Sequence, residues 1–100
     1  MKEILFEDAY TAWRSEAPLM KTSLAKYDRI YSYYMDEYIG SKNVRNITEK
    51  DIDLICENFR SHGLSADYGG LIHSVLTDVY NWCIKQGYIA AIPFVIKINV

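Results

Sequence analysis

Apolar residues return along this chain at three- and four-residue intervals, the spacing that places them on one face of a helix. Phe6, Ala9, Tyr10 and Trp13 form the first such line and predict a helix from about Glu3 to Glu16. Ala17-Pro18 ends it, because the residue before a proline avoids helical backbone angles. A second line of Leu24, Tyr27, Tyr31, Tyr34 and Tyr38, widened by Ile30 and Met35, predicts a helix from about Thr22 to Ile39 with Gly40 as its stop. The third helix opens at Thr48, where Asp51 completes a capping-box-like start and Ile47 can staple against Ile52. Its buried face is Ile52, Ile55, Cys56 and Phe59, and His62-Gly63 closes it. The fourth runs from Ser65 to about Gln86, stopped by Gly87. Its apolar residues come in adjacent pairs, Leu71/Ile72, Val75/Leu76, Val79/Tyr80 and Cys83/Ile84, a stripe broad enough for a central helix with several neighbours.

This pattern predicts an all-α protein, four helices joined by short connections in a bundle or an orthogonal array. After a short turn over Tyr88 to Pro93, Phe94 to Val100 is apolar and β-branched. It either packs back on the bundle or is a linker cut from a longer protein. Gly69-Gly70, near the start of the fourth helix, costs about 1 kcal/mol per glycine relative to alanine. Close approach of another helix explains such a pair, and so does close approach of a ligand backbone.

One hundred residues make one domain, and a half-apolar composition with ordinary charge argues against disorder. Cys56 and Cys83 sit inside apolar helical patterns and read as reduced, buried thiols of a cytoplasmic protein. No leader and no apolar run of about 20 residues suggests secretion or a membrane span. The net charge of −2 argues against a strongly basic nucleic-acid binder. The charges are uneven, however. Residues 1–50 hold eight Lys/Arg and eight Asp/Glu, and residues 51–100 hold three and five. Any grip on a polyanion therefore leans on the first half and is weak for this domain alone.

Candidate chemistry concentrates in Lys21-Thr22-Ser23-Leu24-Ala25-Lys26-Tyr27. A helix start has free N–H groups and the positive end of the dipole. With hydroxyls from Thr22 and Ser23 and ammonium groups from Lys21 and Lys26, it can hold a phosphate. The same hydroxyls can equally serve as simple N-caps. Gly63-Leu64-Ser65 opens the fourth helix in a similar way. Nine tyrosines in one hundred residues are unusual. The stripe from Tyr27 to Tyr38 reads as core and edge packing, since tyrosine buries a ring and keeps its OH wet. Tyr33 lies off that stripe and is the better candidate for a partner surface.

The order of these signals resembles the N-terminal core-binding domain of tyrosine recombinases, the phage-integrase family, a SAM-like domain of four or five helices. The resemblance covers about Leu5 to Pro93. Phe6 through Trp13 is similar to the family's first helix, and Lys21 to Tyr27 to its basic-Ser-Thr helix start. Asn46-Ile47-Thr48-Glu49-Lys50-Asp51-Ile52 resembles the turn into its third helix, and Gly63-Leu64-Ser65 the entry to its fourth. Gly87-Tyr88-Ile89 followed by Ile92-Pro93 resembles the exit, with Ile92 where Asn is usual. The resemblance implies a DNA-binding domain over 1–93 and a tail or truncated linker over 94–100. In that family the domain is half of a C-shaped clamp on double-stranded DNA, and a separate C-terminal domain cleaves the strands.

Carried over by position, the implied DNA contacts are Lys21, Thr22, Ser23 and Lys26 at the second helix. At the fourth they are Ser65, Ala66, Asp67, Tyr68, Gly70 and Ser74. Asp67 and Tyr68 stand where the family usually has a basic residue and Thr. An acid facing phosphate is repulsive, so Asp67 either serves the helix dipole or accepts from a cytosine amino group. The resemblance implies contact with neighbouring recombinase protomers on DNA; no cofactor, no membrane partner and a monomer in isolation are the accompanying expectations. It also implies no catalysis by this fragment, since no arginine follows Arg60 to build the family's His-x-x-Arg element. His62 reads as a helix C-terminal residue. His73 and Cys83 lie about 15 Å apart along one helix, too far for proton transfer. A helical protein–protein interaction module is the alternative reading, motivated by the acidic balance, the tyrosines and the tail.

Overall fold

The computed structural model describes residues 2–63 and 66–98, with the backbone alone for 66–68. The chain folds as an all-α four-helix bundle. The elements are α1 (Phe6–Glu16), α2 (Lys21–Ile30), which continues directly into a π-helical segment (Tyr31–Gly40), α3 (Glu49–Ser61) and α4 (Ala66–Lys85). Among the described residues the only β pairing is an isolated bridge between Leu5 and Asn43. That bridge sets the start of α1. Phe6 N–H donates to Lys42 C=O at 2.9 Å and Val44 N–H to Ile4 C=O at 3.0 Å, so residues 4–5 pair with the α2–α3 loop instead of forming the first helical turn expected from Glu3.

α1 runs antiparallel to the second rod. Arg14 meets Asp28, while Tyr10 stacks on Tyr31 with centroids 4.2 Å apart and Phe6 lies 5.8 Å from the same ring. α1 lies across α4. Phe6 and Glu16, about 15 Å apart along α1, meet Tyr80 and Trp82, which are two residues apart within one turn of α4. The expected face of α1, Phe6, Ala9, Tyr10 and Trp13, is buried as a unit. So are the expected residues of α3, and most of the paired residues of α4, with Leu71 half-buried and Ile84 exposed.

The second rod departs from expectation in two ways. Its C-terminal ten residues take the wider π turn, with i→i+5 backbone bonds, where an uninterrupted α-helix was expected. Its buried line is Ile30, Tyr31, Met35 and Ile39, so residues read as widening the stripe are its centre, and Leu24, Tyr27, Tyr34 and Tyr38 are half-buried edges. The wider turn places Asp36 beneath Tyr31, whose OH donates to Asp36 Oδ1 at 2.6 Å.

α3 starts as expected. Thr48 is its N-cap, and the backbone N–H of Thr48 donates to Asp51 Oδ2 at 3.0 Å within a capping box. Asp51 is only 7% exposed and also accepts from Lys42 Nζ at 2.7 Å. Burial raises its pKa, but the Lys42 and Thr48 hydrogen bonds outweigh burial and hold the carboxyl below the usual range. Gly63 and Gly87, at φ of 67° and 85°, close α3 and α4 in the left-handed conformation that glycine adopts without a Cβ clash. The segment after Gly87 packs back on the bundle. Ile92, Phe94, Ile96 and Ile98 face the core in alternation with exposed Pro93, Val95 and Lys97, and the Phe94 ring meets Tyr80 edge-on at 5.5 Å.

Candidate nucleic-acid interface

The open end of α2 is the first part of the candidate site. The helix begins at Lys21, one residue earlier than expected, and its N-cap is Met20, with no side-chain capping bond. The expected capping role of Thr22 and Ser23 is therefore not found, because both already lie inside the first turn. The first backbone bond runs from Leu24 N–H to Met20 C=O at 3.0 Å. The N–H groups of Lys21, Thr22 and Ser23 thus belong to the unsatisfied first turn, at the positive end of the dipole. Lys21, Thr22 and Lys26 are exposed, and Ser23 is half-buried.

Arg29 joins this surface, although sequence reasoning did not single it out. Thr22, Lys26, Arg29 and Tyr33 recur at i, i+4, i+7 and i+11, and all four are exposed. The spacing of exposed polar residues carries no hydrophobic signal, so only the i, i+3, i+4 arithmetic on the polar face could have found Arg29. Among the described residues the ion pairs are Arg14–Asp28 and Lys42–Asp51, so Lys21, Lys26 and Arg29 take part in neither.

The carboxylate within this stretch is neutralised. Arg14 Nε donates to both oxygens of Asp28 at 2.7 and 2.8 Å, and Tyr10 OH adds a bond of 2.6 Å. The Arg14 hydrogen bond is the main reason the Asp28 carboxyl lies below its ordinary range, helped by Tyr10 and opposed by burial. With Asp28 turned toward α1, the outward side of α2 carries cations and no competing acid.

α4 meets α2 at Tyr27. This ring stacks on Trp13 at 5.6 Å, and its OH lies 3.4 Å from Asp78 Oδ2. Burial, the largest cause, raises the Tyr27 pKa, the nearby Ser74 hydroxyl lowers it and Asp78 raises it. Ser74, an implied DNA contact, is thus half-buried against Tyr27. Asp78, one turn further along α4, puts a carboxylate at this junction that sequence reasoning missed. Gly70 is exposed, and a Cβ there would meet open space, so close helix approach does not explain this glycine. Ser65 and the side chains of Ala66, Asp67 and Tyr68 lie outside the described residues.

Two other reactive side chains are engaged within the fold. His62 Nδ1 lies 2.8 Å from Asn58 C=O at the end of α3, and its ring meets Tyr34 edge-on. Burial pushes the Cys83 thiol up to about 11, away from the thiolate needed for nucleophilic chemistry. Among the described residues no helix is long and apolar enough to cross a membrane. No family model, no curated protein and no solved structure matches this chain.

Proposed function

We propose that this chain is a duplex-DNA-binding module of the tyrosine-recombinase kind, which grips backbone phosphates and leaves strand cleavage to a separate domain. One observation carries the reading. Lys26 and Arg29 stand exposed with Thr22 on one face of α2, Lys21 is exposed in its first turn beside the free N–H groups, and Asp28 is held toward α1 by Arg14 and Tyr10. An amide-rich helix mouth with adjacent ammonium and guanidinium groups suits a phosphate oxygen. The resemblance carried by Lys21 to Tyr27, by the capping box at Thr48 and by Gly87 with Pro93 gives the class of polyanion. The open space over Gly70 suits close approach of a sugar–phosphate backbone to α4.

Contact with about three to five phosphates gives a modest salt slope, near −0.9 per phosphate, and weak affinity for the isolated domain. Fluorescence anisotropy with a short labelled duplex at low salt tests the reading. Lys21→Ala and Lys26→Ala together should weaken binding on every sequence tried. Identical curves for this variant and the wild type would remove the proposal.

A helical protein-interaction module is the second reading. It is favoured by Met20 and Tyr33, which leave 74% and 70% of their surface exposed on the same rod. Light scattering without DNA separates the two readings: a stable dimer favours protein contact, and a monomer favours DNA.

A further inference from the structure

We infer that Tyr33 is a stacking platform for an unpaired base at the end of the cationic track, so that this domain prefers forked or locally opened DNA over an intact duplex. The inference rests on the DNA-binding reading and adds a residue and a substrate form to it.

Tyr33 is 70% exposed, the most exposed of the large aromatic residues described, and Tyr34, its nearest aromatic neighbour among the described residues, is tilted by 58° at a centroid separation of 6.4 Å. Among the described residues no ring is stacked on either face. The fold holds it there. Its flanking residues Tyr31 and Met35 are buried, and Tyr34 packs edge-on against Phe59 and His62, which turns Tyr33 outward. The side chain therefore projects from a rigid rod, so a partner that covers it has little ordering cost to meet.

Position gives the ring its chemistry. Tyr33 follows Arg29 by one turn on the line that carries Thr22 and Lys26. From Thr22 to Arg29 the line rises about 10 Å, and a strand carries about one phosphate per 3.4 Å of duplex axis. This line can therefore follow one strand over about three phosphates before the ring is reached. Beyond Tyr33 the sign reverses, since Glu37 is exposed one turn further on. The track for a polyanion ends at the aromatic ring.

A row of cations ending in a free aromatic face is the arrangement that binds single-stranded nucleic acid, with cations on the backbone and a ring under a base. In an intact duplex each base face is covered by its neighbours, and the ring would find only sugar and phosphate. A frayed or unpaired nucleotide supplies the missing π-face.

Anisotropy titrations compare a short duplex with the same duplex carrying a single-stranded fork, for wild type, Tyr33→Ala and Tyr33→Phe. The expected result is a wild-type preference for the fork of about fivefold or more. Tyr33→Ala loses that preference, Tyr33→Phe keeps it, and all three bind the intact duplex equally. Circular dichroism confirms the fold of each variant. Equal wild-type affinity for fork and duplex, or an unchanged preference in Tyr33→Ala, overturns the inference and leaves the duplex grip standing. Absence of salt-sensitive binding to either DNA removes both. A dimer in light scattering that Tyr33→Ala dissolves assigns the ring to protein contact and also overturns it.

Discussion

Gly40→Ala tests how the π segment is held. The glycines in left-handed conformation are Gly63 and Gly87, so Gly40 is not required by backbone angle. It is required by space. A Cβ would sit 2.9 Å from Asp36 Cγ and 3.1 Å from Tyr31 Oη, and closer still to one Asp36 oxygen. Asp36 must then swing away from the Tyr31 hydroxyl, which donates to it at 2.6 Å. Tyr31 cannot follow, because it is 7% exposed and stacked on Tyr10. A buried hydroxyl that loses a charged partner costs about 1.5–3 kcal/mol. Alanine returns up to about 1 kcal/mol of helix propensity. The net effect is a loss of about 1–2 kcal/mol, which moves a urea midpoint down by roughly 1 M at unchanged slope. Far-ultraviolet circular dichroism reads it. In a Tyr31→Phe background the penalty should shrink, because the hydroxyl is already gone. A Gly40→Ala protein as stable as wild type would refute the reasoning.

Gly70→Ala should have the opposite sign in the same urea titration, stabilising by about 0.5–1 kcal/mol, since the position is helical, exposed and open. If DNA approaches there, the same variant binds DNA more weakly. The depressed Asp28 pKa contributes stability that is present above about pH 4, the unfolded value, and is lost as pH falls through the lower folded value. Asp28→Asn should therefore flatten the acid limb of the stability profile, by about 1 kcal/mol or less because the pair is partly exposed. Burial, joined for Tyr10 and Tyr31 by their carboxylate partners, raises the pKa values of Tyr10, Tyr31 and Tyr80, so their contribution is complete below about pH 10 and falls as pH climbs toward the raised values. Each phenol costs up to about 1.4 kcal/mol per pH unit in that range. Their tyrosinate absorbance should appear together with loss of ellipticity, and smooth titration of all tyrosines in a folded protein would contradict it.

Much of this architecture was legible because burial follows helical period. Phe6, Ala9, Tyr10 and Trp13 are one buried face, and Thr48 with Asp51 marks the start of α3 where the capping chemistry placed it. Gly63 and Gly87 end helices for the reason glycine usually does. The π segment was hidden because the run from Ile30 to Ile39 is apolar enough to satisfy a turn of 3.6 or of 4.4 residues. What distinguishes them is the Tyr31–Asp36 pair, five residues apart, beside the Cβ-free space at Gly40. The start of α1 was misplaced because pairing of Ile4 and Phe6 with Val44 and Lys42 is a long-range event that no local pattern signals. At the candidate site, Lys21, Thr22 and Lys26 were visible as residue types near a helix start. Their exposure, the neutralised Asp28, the addition of Arg29 and the approach of Asp78 to Tyr27 depend on how α1 and α4 dock on α2.

The most direct test of the central claim is the salt dependence of duplex binding by the wild type and by Lys21→Ala, Lys26→Ala and Arg29→Ala. Each substitution should reduce the log–log salt slope by about one and weaken affinity on all sequences alike. Slopes that stay equal across these variants, or a wild type that does not bind duplex at low salt, would contradict the claim that this face of α2 holds phosphate.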